Sequence, residues 1–576
     1  MRVSDYVIQY LRDEYGIDTI FTVSGGGCIF LIDSLGHTDR VKYVATHHEQ
    51  AASIAAEGYA RMNNKLGACI VTSGPGATNA MTGTLCSWLD SIPVIVISGQ
   101  VNKELTTNYT GLPLRQLGDQ EYNIIESVKN MTKYAVQVNN VDEIKFHLEK
   151  ACKLAVSGRP GPVWLDLPLN IQSAEIDPDK LEGYHEEVPI PQASEFEVDQ
   201  IVEQWNKAKR PLLVVGNGIR LSGAVSELRA LLAKTDVPVI TAVNGNDIVT
   251  SDYMYYCGRF GTHAQISANK VLSECDFLLT VGSRLYVRQT GYNFKGFAKQ
   301  AYRVYVDIDK NELDKPTLFP NLKVESDAKI LLTKLLGKSI NVSSAAWLEE
   351  CIESKKSPKV LQRHRDKKKI ASVYAFVEQL SKNLPKDHHV VTSDGSANVV
   401  SMQVLDLTGD QRLITNTGCA PMGYGLPAAI GASANNTKII CMEGDGSLHL
   451  NIHELQTIKH YNLPVKVIVI NNDGYLSIKV TQKTFFNGRY VASEKNSGVS
   501  FPNYKKIVEA YELPYFSIRT NNSIHPTLSE FLSKEGPCVL EVFTDPNEFH
   551  EPKVIAKLDA EGKFIPGELN NIQWIE

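Results

Sequence analysis

Lys438-Ile439-Ile440-Cys441-Met442 leads through Glu443 into Gly444-Asp445-Gly446-Ser447, and further on Val465 to Ile470 leads into Asn471-Asn472. Both apolar runs have the length and β-branched content of buried strands in a parallel sheet, with His449 to His460 as the crossover helix. The carboxyl ends of such strands are where open α/β sheets bind ligands. Asp445 offers a carboxylate there, Asn472 an amide oxygen and the Asp473-Gly474 turn a backbone carbonyl. These are hard oxygen donors of the kind Mg2+ prefers, and Mg2+ usually shares its octahedron with phosphates. Gly-Asp-Gly alone is only a tight strand-to-helix turn. Paired with Asn-Asn, each motif closing an expected strand, it describes a place to hold a diphosphate through magnesium.

The whole chain is consistent with a multidomain enzyme. At 576 residues it is too long for one core, and length alone suggests three or four domains. Hydrophobic content of 43% with 22% charged residues is that of a soluble globular enzyme, and a net charge of -6 argues against a nucleic-acid surface. Met1-Arg2-Val3-Ser4-Asp5 enters an amphipathic helix pattern without a signal-peptide core. No apolar run reaches the roughly 18 residues of a spanning helix. The ten cysteines are scattered without a CxxC, and Cys69, Cys275 and Cys441 lie inside apolar segments. Reduced, buried thiols in a cytoplasmic protein are expected.

Along the chain, residues 1–172 alternate helices with strands such as Ala68 to Thr72 and Pro93 to Ile97, placing Ser73-Gly74-Pro75-Gly76 and Ser98-Gly99-Gln100 on one sheet edge. Gly158-Arg159-Pro160-Gly161-Pro162 is a turn before the strand Val163 to Leu167. An acidic, proline-bearing connector, Ile171 to Gln192, follows. Residues 193–340 form a second α/β block with strands Pro211 to Val215, Phe277 to Val281 and Val304 to Asp309. Glycines after two of these strands suit either a phosphate cradle or tight turns. Lys355 to Lys369 is basic and reads as a solvated interdomain linker rather than a nucleic-acid patch. Residues 370–550 hold the opening motif together with Val390 to Thr392, Arg412 to Ile414 and Pro537 to Val542. The tail, 551–576, has little periodicity and either packs on the surface or folds back over a site.

With these motifs in view, the sequence resembles thiamine-diphosphate-dependent enzymes, and among them the acetolactate synthase large-subunit group. The resemblance spans nearly the whole chain. It is carried by His48-Glu49-Gln50-Ala51-Ala52 leading to Gly58-Tyr59-Ala60-Arg61, by Thr72 to Asn79, by Asp90-Ser91-Ile92-Pro93, by Gly158 to Pro162, by Gly423 to Ala429 and by the diphosphate signature. It implies three parallel-sheet α/β domains: pyrimidine-binding, central, and diphosphate- and magnesium-binding. It also implies a homodimer or homotetramer whose cofactor lies between the pyrimidine domain of one subunit and the diphosphate domain of another.

By this resemblance Glu49 is the activating glutamate. The C2 proton of the thiazolium is weakly acidic and must leave before the carbon can act as a nucleophile. A partly desolvated carboxylate bonded to the aminopyrimidine N1′ favours the imino tautomer that takes that proton. Asp445, Asn472 and the Gly474 carbonyl are the implied Mg2+ ligands. Gly395, Ser396 and Ala397 stand where relatives hold the diphosphate. Gly446 and Ser447 lie at a helix N-terminus that favours anions. Val399 falls at the apolar position that bends the cofactor, or is plain core. Met422 lies against the thiamine, and Pro75, Asn79 and Tyr475 belong to the same cofactor-contact set. Gln120, with Gln116 as a lesser candidate, could hold a substrate carboxylate. Gly26, between Gly25 and Gly27, offers open backbone to an approaching substrate. His48, more than His47, is a proton-transfer candidate.

Departures from the resemblance concern the substrate. Thr481 and Asp119 stand where acetolactate synthases carry aromatics, which suggests an acceptor more polar or larger than pyruvate. In Gly282-Ser283-Arg284-Leu285-Tyr286-Val287-Arg288 the two acids of the flavin-contacting segment are absent, leaving FAD open. The expected activity is decarboxylation of a 2-oxoacid followed by carboligation to a carbonyl acceptor. A simple decarboxylase or C–C cleaving enzyme would need nearly the same residues, and a cofactor-binding regulatory protein is the remote alternative. Small molecules are the expected partners, with neither nucleic acid nor membrane.

Overall fold

The computed structural model describes residues 1–555, 557–558 and 564–574. Three six-stranded sheets follow one another along the chain, every strand pair within them parallel. The first contains β1 (Thr19–Thr22), β2 (Lys42–Ala45), β3 (Gly67–Val71), β4 (Val94–Gln100), β5 (Tyr134–Gln137) and β6 (Val163–Pro168). The second contains β7 (Pro211–Val215), β8 (Val239–Thr241), β9 (Tyr256–Arg259), β10 (Phe277–Val281), β11 (Tyr302–Asp307) and β12 (Leu322–Glu325). The third contains β13 (His388–Thr392), β14 (Leu413–Thr415), β15 (Lys438–Gly444), β16 (Val465–Asn471), β17 (Tyr515–Ile518) and β18 (Cys538–Phe543).

The first sheet runs β2-β1-β3-β4-β6-β5 and the third β14-β13-β15-β16-β18-β17, the same order repeated. The central sheet runs β12-β11-β10-β7-β8-β9, the order of dinucleotide-binding sheets, with its reversal between β7 and β10. Central strands are buried along their length, as the unbroken apolar runs require when helices cover both faces.

The outer sheets share one hydrophobic core, which includes Ala52, Ala55 and Tyr59 from one side and Leu426, Ala429 and Ile430 from the other. It is built by the Glu49–Asn63 helix packed on the Gly425–Ala432 helix. The approach is close enough that a Cβ at Gly58 would overlap the Ala428 backbone, and one at Gly431 the Ala55 carbonyl. The small-residue run after Glu49 therefore brings the first and third domains together.

Two local expectations need correction. The crossover after the Gly-Asp-Gly turn is two short helices, Asp445–Leu450 and Glu454–His460, rather than one from His449 to His460. Asn451 breaks it: its Nδ2 donates to the Gly423 carbonyl at 2.7 Å, a contact that fixes the Met422-Gly423 loop. Ser98-Gly99-Gln100 is strand, not edge loop, because β4 continues to pair with β6 through Gln100. Gly99 is bare where the Gly27 carbonyl lies against it.

The basic Lys355–Lys369 stretch is tied down by acids: Lys359 pairs with Asp406, Arg365 with Glu378 at 2.8 Å and Lys367 with Asp545 at 2.9 Å. All ten cysteines are free thiols. No described helix is long and apolar enough to cross a membrane.

Candidate active site

Two clusters of the expected residues form at the carboxyl ends of the outer sheets. In the third domain, β15 delivers Asp445 and β16 delivers Asn472, side by side. Asp445 Oδ2 accepts the Asn472 N–H at 3.1 Å and the Gly474 N–H at 3.3 Å, and Oδ1 accepts the Gly446 N–H at 2.7 Å. Burial pushes the Asp445 carboxyl up to about 7, against the pull of these backbone donors. Asn472 Oδ1 is buried and has no hydrogen-bond partner among the described residues. A buried carboxylate beside an unpartnered amide oxygen is a hard-oxygen donor set, and it fits Mg2+.

Gly395 adopts φ +70° with open space where a Cβ would stand, so its backbone is free to face a ligand at the start of the Ser396–Val404 helix. Ala397 belongs to the core of this domain and Val399 is buried on the same helix. Tyr475 and Met422 meet over Gly446, whose missing Cβ leaves them room. Ser447 sits differently from expectation: its Oγ accepts the Gly423 N–H at 2.8 Å, holding the Met422 loop rather than standing free.

In the first domain, Glu49 begins its helix, with His48 as N-cap accepting the Gln50 N–H on Nδ1 at 3.0 Å. Asn79 Nδ2 donates to Glu49 Oε2 at 2.9 Å. Pro75 opens the neighbouring Pro75–Asp90 helix. Gln120, at φ +57°, lays its backbone carbonyl against Gly74, and Gly25 and Gly27 pack on Thr72 and Ser73. Gly26 faces open space. Glu49, Pro75, Asn79, Gln120 and Gly26 therefore share one edge. Asp119 and Thr481 are both exposed.

No hydrogen bond among the described residues joins Glu49 to the Asp445 group directly. A residue that the motifs did not reveal connects their neighbourhoods. Glu454 is fully buried; its Oε1 accepts the His47 N–H at 2.9 Å and its Oε2 the Thr457 hydroxyl at 2.6 Å. It ties the first domain's His47-His48-Glu49 turn to the helix that follows Asp445. Tyr504, also missed, donates to the Asp445 carbonyl at 2.7 Å. So was Asp90, fully buried at its side chain, which accepts from Arg61 at 2.7 Å, Asn244 at 2.9 Å and the Gly418 N–H at 3.0 Å, one group from each domain. Glu454 and Tyr504 have no local sequence signature, and Asp90, though it opens the Asp90-to-Pro93 motif, was given no role there; each acts on a distant segment.

The central sheet carries a cavity of about 390 Å³ at its reversal point, lined in part by Arg159, Gly216, Gly218, Ser283 and Asp307. Gly216 and Gly218 are explained by close packing on the Gly282 turn, so tight turns suffice for them. The cavity remains, with Ser283 Oγ buried and unpartnered among the described residues.

Three parallel sheets, one of them ending in a buried carboxylate beside an unpartnered amide oxygen, define the class as a three-domain α/β protein with a candidate ligand site at the strand ends. Comparison with known families agrees. The thiamine pyrophosphate enzyme N-terminal TPP binding domain matches residues 1–123, its central domain 198–335 and its C-terminal TPP binding domain 394–542. Acetolactate synthase isozyme 2 large subunit of Escherichia coli is 33% identical across 95% of this chain and 96% of its own length. A probable acetolactate synthase large subunit of Methanococcus aeolicus is 31% identical across 95% and 92%, and acetolactate synthase 1 of Zea mays 31% across 97% and 88%. The chain belongs to the thiamine pyrophosphate enzymes, in the acetolactate synthase large-subunit family. It is a thiamine-diphosphate-dependent enzyme.

Proposed function

We propose that this enzyme, with Mg2+, decarboxylates a 2-oxoacid and joins what remains to a carbonyl acceptor. The observation that carries the proposal is the orphaned Asn472 Oδ1 beside buried Asp445, in a chain related to acetolactate synthases over nearly its full length. Bound thiamine diphosphate supplies the carbon nucleophile and the electron sink for loss of CO2. Asp445, Asn472 Oδ1 and the Gly474 carbonyl would hold the metal, and Gly395, Ser396 and Ala397 the diphosphate. Glu49 Oε2 is fixed by Asn79, which leaves Oε1 to hold the proton at the aminopyrimidine N1′. His48 Nδ1 is spent on its helix cap, so only Nε2 is available to move a proton. Gln120 would orient the substrate carboxylate, and the open backbone at Gly26 would offer an N–H to its oxygen.

The site belongs to a homodimer or larger even assembly, in which a second copy completes each half-site. Large apolar side chains are exposed beside both halves: Tyr109, Leu112 and Leu117 before Gln120, and Ile478, Phe485 and Phe486 after Tyr475. Such patches on a soluble surface mark association. For the central cavity, a nucleotide ligand is proposed from its place at the sheet reversal and from Asp307, which burial pushes up to about 6 at the end of β11. Visible absorbance of the purified protein decides whether that nucleotide is FAD.

The acceptor is proposed to be polar, since exposed Asp119 and Thr481 provide no apolar wall. Incubation with pyruvate, thiamine diphosphate and Mg2+, with and without hydroxylated aldehydes or ketones, should give a cross-product that mass spectrometry detects ahead of acetolactate. Acetolactate dominating at every acceptor concentration would remove the polar-acceptor reading. Release of CO2 without any coupled product would reduce the enzyme to a decarboxylase.

A further inference from the structure

The segment after β18 turns back along the Ser396–Val404 helix and is fastened to it near both ends. Gln403 Nε2 donates to the Pro552 carbonyl at 2.7 Å, and His550 Nε2 lies 3.0 Å from Ser396 Oγ. Further anchors hold the segment in register. Glu548 accepts from the Ser372 hydroxyl at 2.7 Å and the Val373 N–H at 2.8 Å, and the Glu551 N–H donates to Tyr374 at 2.7 Å. Ser396, Asn472 and His550 are all more than nine-tenths buried. We propose that His550 is a positioning residue for the cofactor's diphosphate and metal, acting through Ser396 and Asn472; this rests on the thiamine-diphosphate reading of the site.

The chemistry follows from counting donors. A serine hydroxyl has one proton to give and two lone pairs to fill. Asn472 Nδ2 donates to Ser396 Oγ at 3.5 Å. If His550 donates its Nε2–H to the same oxygen, both lone pairs are filled and the Ser396 proton points outward, as a donor to an anion. The same arrangement fixes the Asn472 amide with its nitrogen toward Ser396 and its orphaned Oδ1 toward the metal position. Burial first, and the nearby Lys553 charge second, lower the imidazole to about 4 and keep it neutral at ordinary pH, so it offers a directed N–H rather than a buried charge. Without His550, Ser396 can turn its proton inward and Asn472 can flip, presenting N–H groups to a cation.

The test is isothermal titration of the full chain with thiamine diphosphate and Mg2+, for the parent and His550→Ala, His550→Gln, Ser396→Ala and the Ala–Ala double variant. A hydrogen bond serving a charged group predicts roughly a tenfold or greater loss of affinity for His550→Ala. Gln places an amide N–H near the position of Nε2 and should recover most of that loss. The double variant should be no worse than the poorer single one, because both substitutions remove the same arrangement. Parental affinity in His550→Ala, failure of Gln to rescue, or additive losses would each overturn the proposal. Should His550→Ala fail to fold, His550→Gln and Ser396→Ala still decide it: Gln must bind near parental strength and Ser396→Ala must lose affinity. A parent that binds no thiamine diphosphate would instead overturn the cofactor reading itself.

Discussion

The roles proposed for Glu49 and Asp445 are separable. Glu49 is held at one oxygen by Asn79 at the edge of the first sheet, while Asp445 lies buried against backbone donors in the third domain. Glu49→Gln keeps the shape and the Asn79 contact but cannot trade a proton, so turnover at saturating cofactor should fall by roughly 10²-fold or more with cofactor affinity intact. Activity within twofold of the parent would exclude the role. Asp445→Ala should instead cut the affinity for thiamine diphosphate with Mg2+ by roughly a hundredfold, since even residues behind metal ligands cost ten- to a hundredfold. Unchanged affinity in calorimetry would take Asp445 out of the metal site. The Asp445 neighbourhood was legible in the sequence because its motif is local, a carboxylate and an amide immediately after buried strands, whereas Glu49 follows a mostly exposed edge strand and was singled out by the family resemblance of its motif. Glu454, Tyr504 and His550 were not, because each reaches its partner across long stretches of chain.

Among the elements, the central strands were readable to within a few residues, since β-branched runs buried on both faces leave little choice of conformation, whereas the part-exposed edge strands β2, β5, β12 and β17 were not read. The crossover was misread because Asn451 breaks it for a non-local reason, its bond to Gly423. The helix beyond that break starts with Glu454, whose carboxyl burial pushes up to about 7. A carboxyl whose pKa is raised on folding stabilises most below its unfolded value near 4.5, and that contribution is lost as pH rises through about 7. The cost to the parent is on the order of 3 kcal/mol across this window. Glu454→Gln cannot ionise and keeps an oxygen for the His47 N–H. Denaturant unfolding from about pH 5 to about pH 8 should therefore show the variant gaining on the parent as pH rises. His453 Nε2 lies 3.5 Å from Glu454 Oε1, so the comparison reads that pair together. Parallel stability curves would contradict the account.

In the molecule as a whole, one chain carries both the Glu49 and the Asp445 clusters, joined by a shared core where the Glu49–Asn63 helix packs against the Gly425–Ala432 helix. Three domains were legible in length and in strand patterning, but the Asp90 junction that pins them was hidden in residues far apart in sequence. If a second copy completes each site, co-expressed Glu49→Gln and Asp445→Ala chains should regain activity that neither has alone. Random pairing would restore about a quarter of the parental sites, because half the dimers are mixed and each has one intact site. No recovery in demonstrably mixed dimers would place both residues in one chain's site. The central claim is that this protein activates thiamine diphosphate at C2 through Glu49, and proton exchange measures it without any assumption about substrate. Acid-quenched NMR of the bound cofactor in D2O should show C2 deuteration far faster on the parent than in free solution, with that acceleration largely lost in Glu49→Gln. Exchange on the parent no faster than in free solution, or equally fast on the variant, would contradict it.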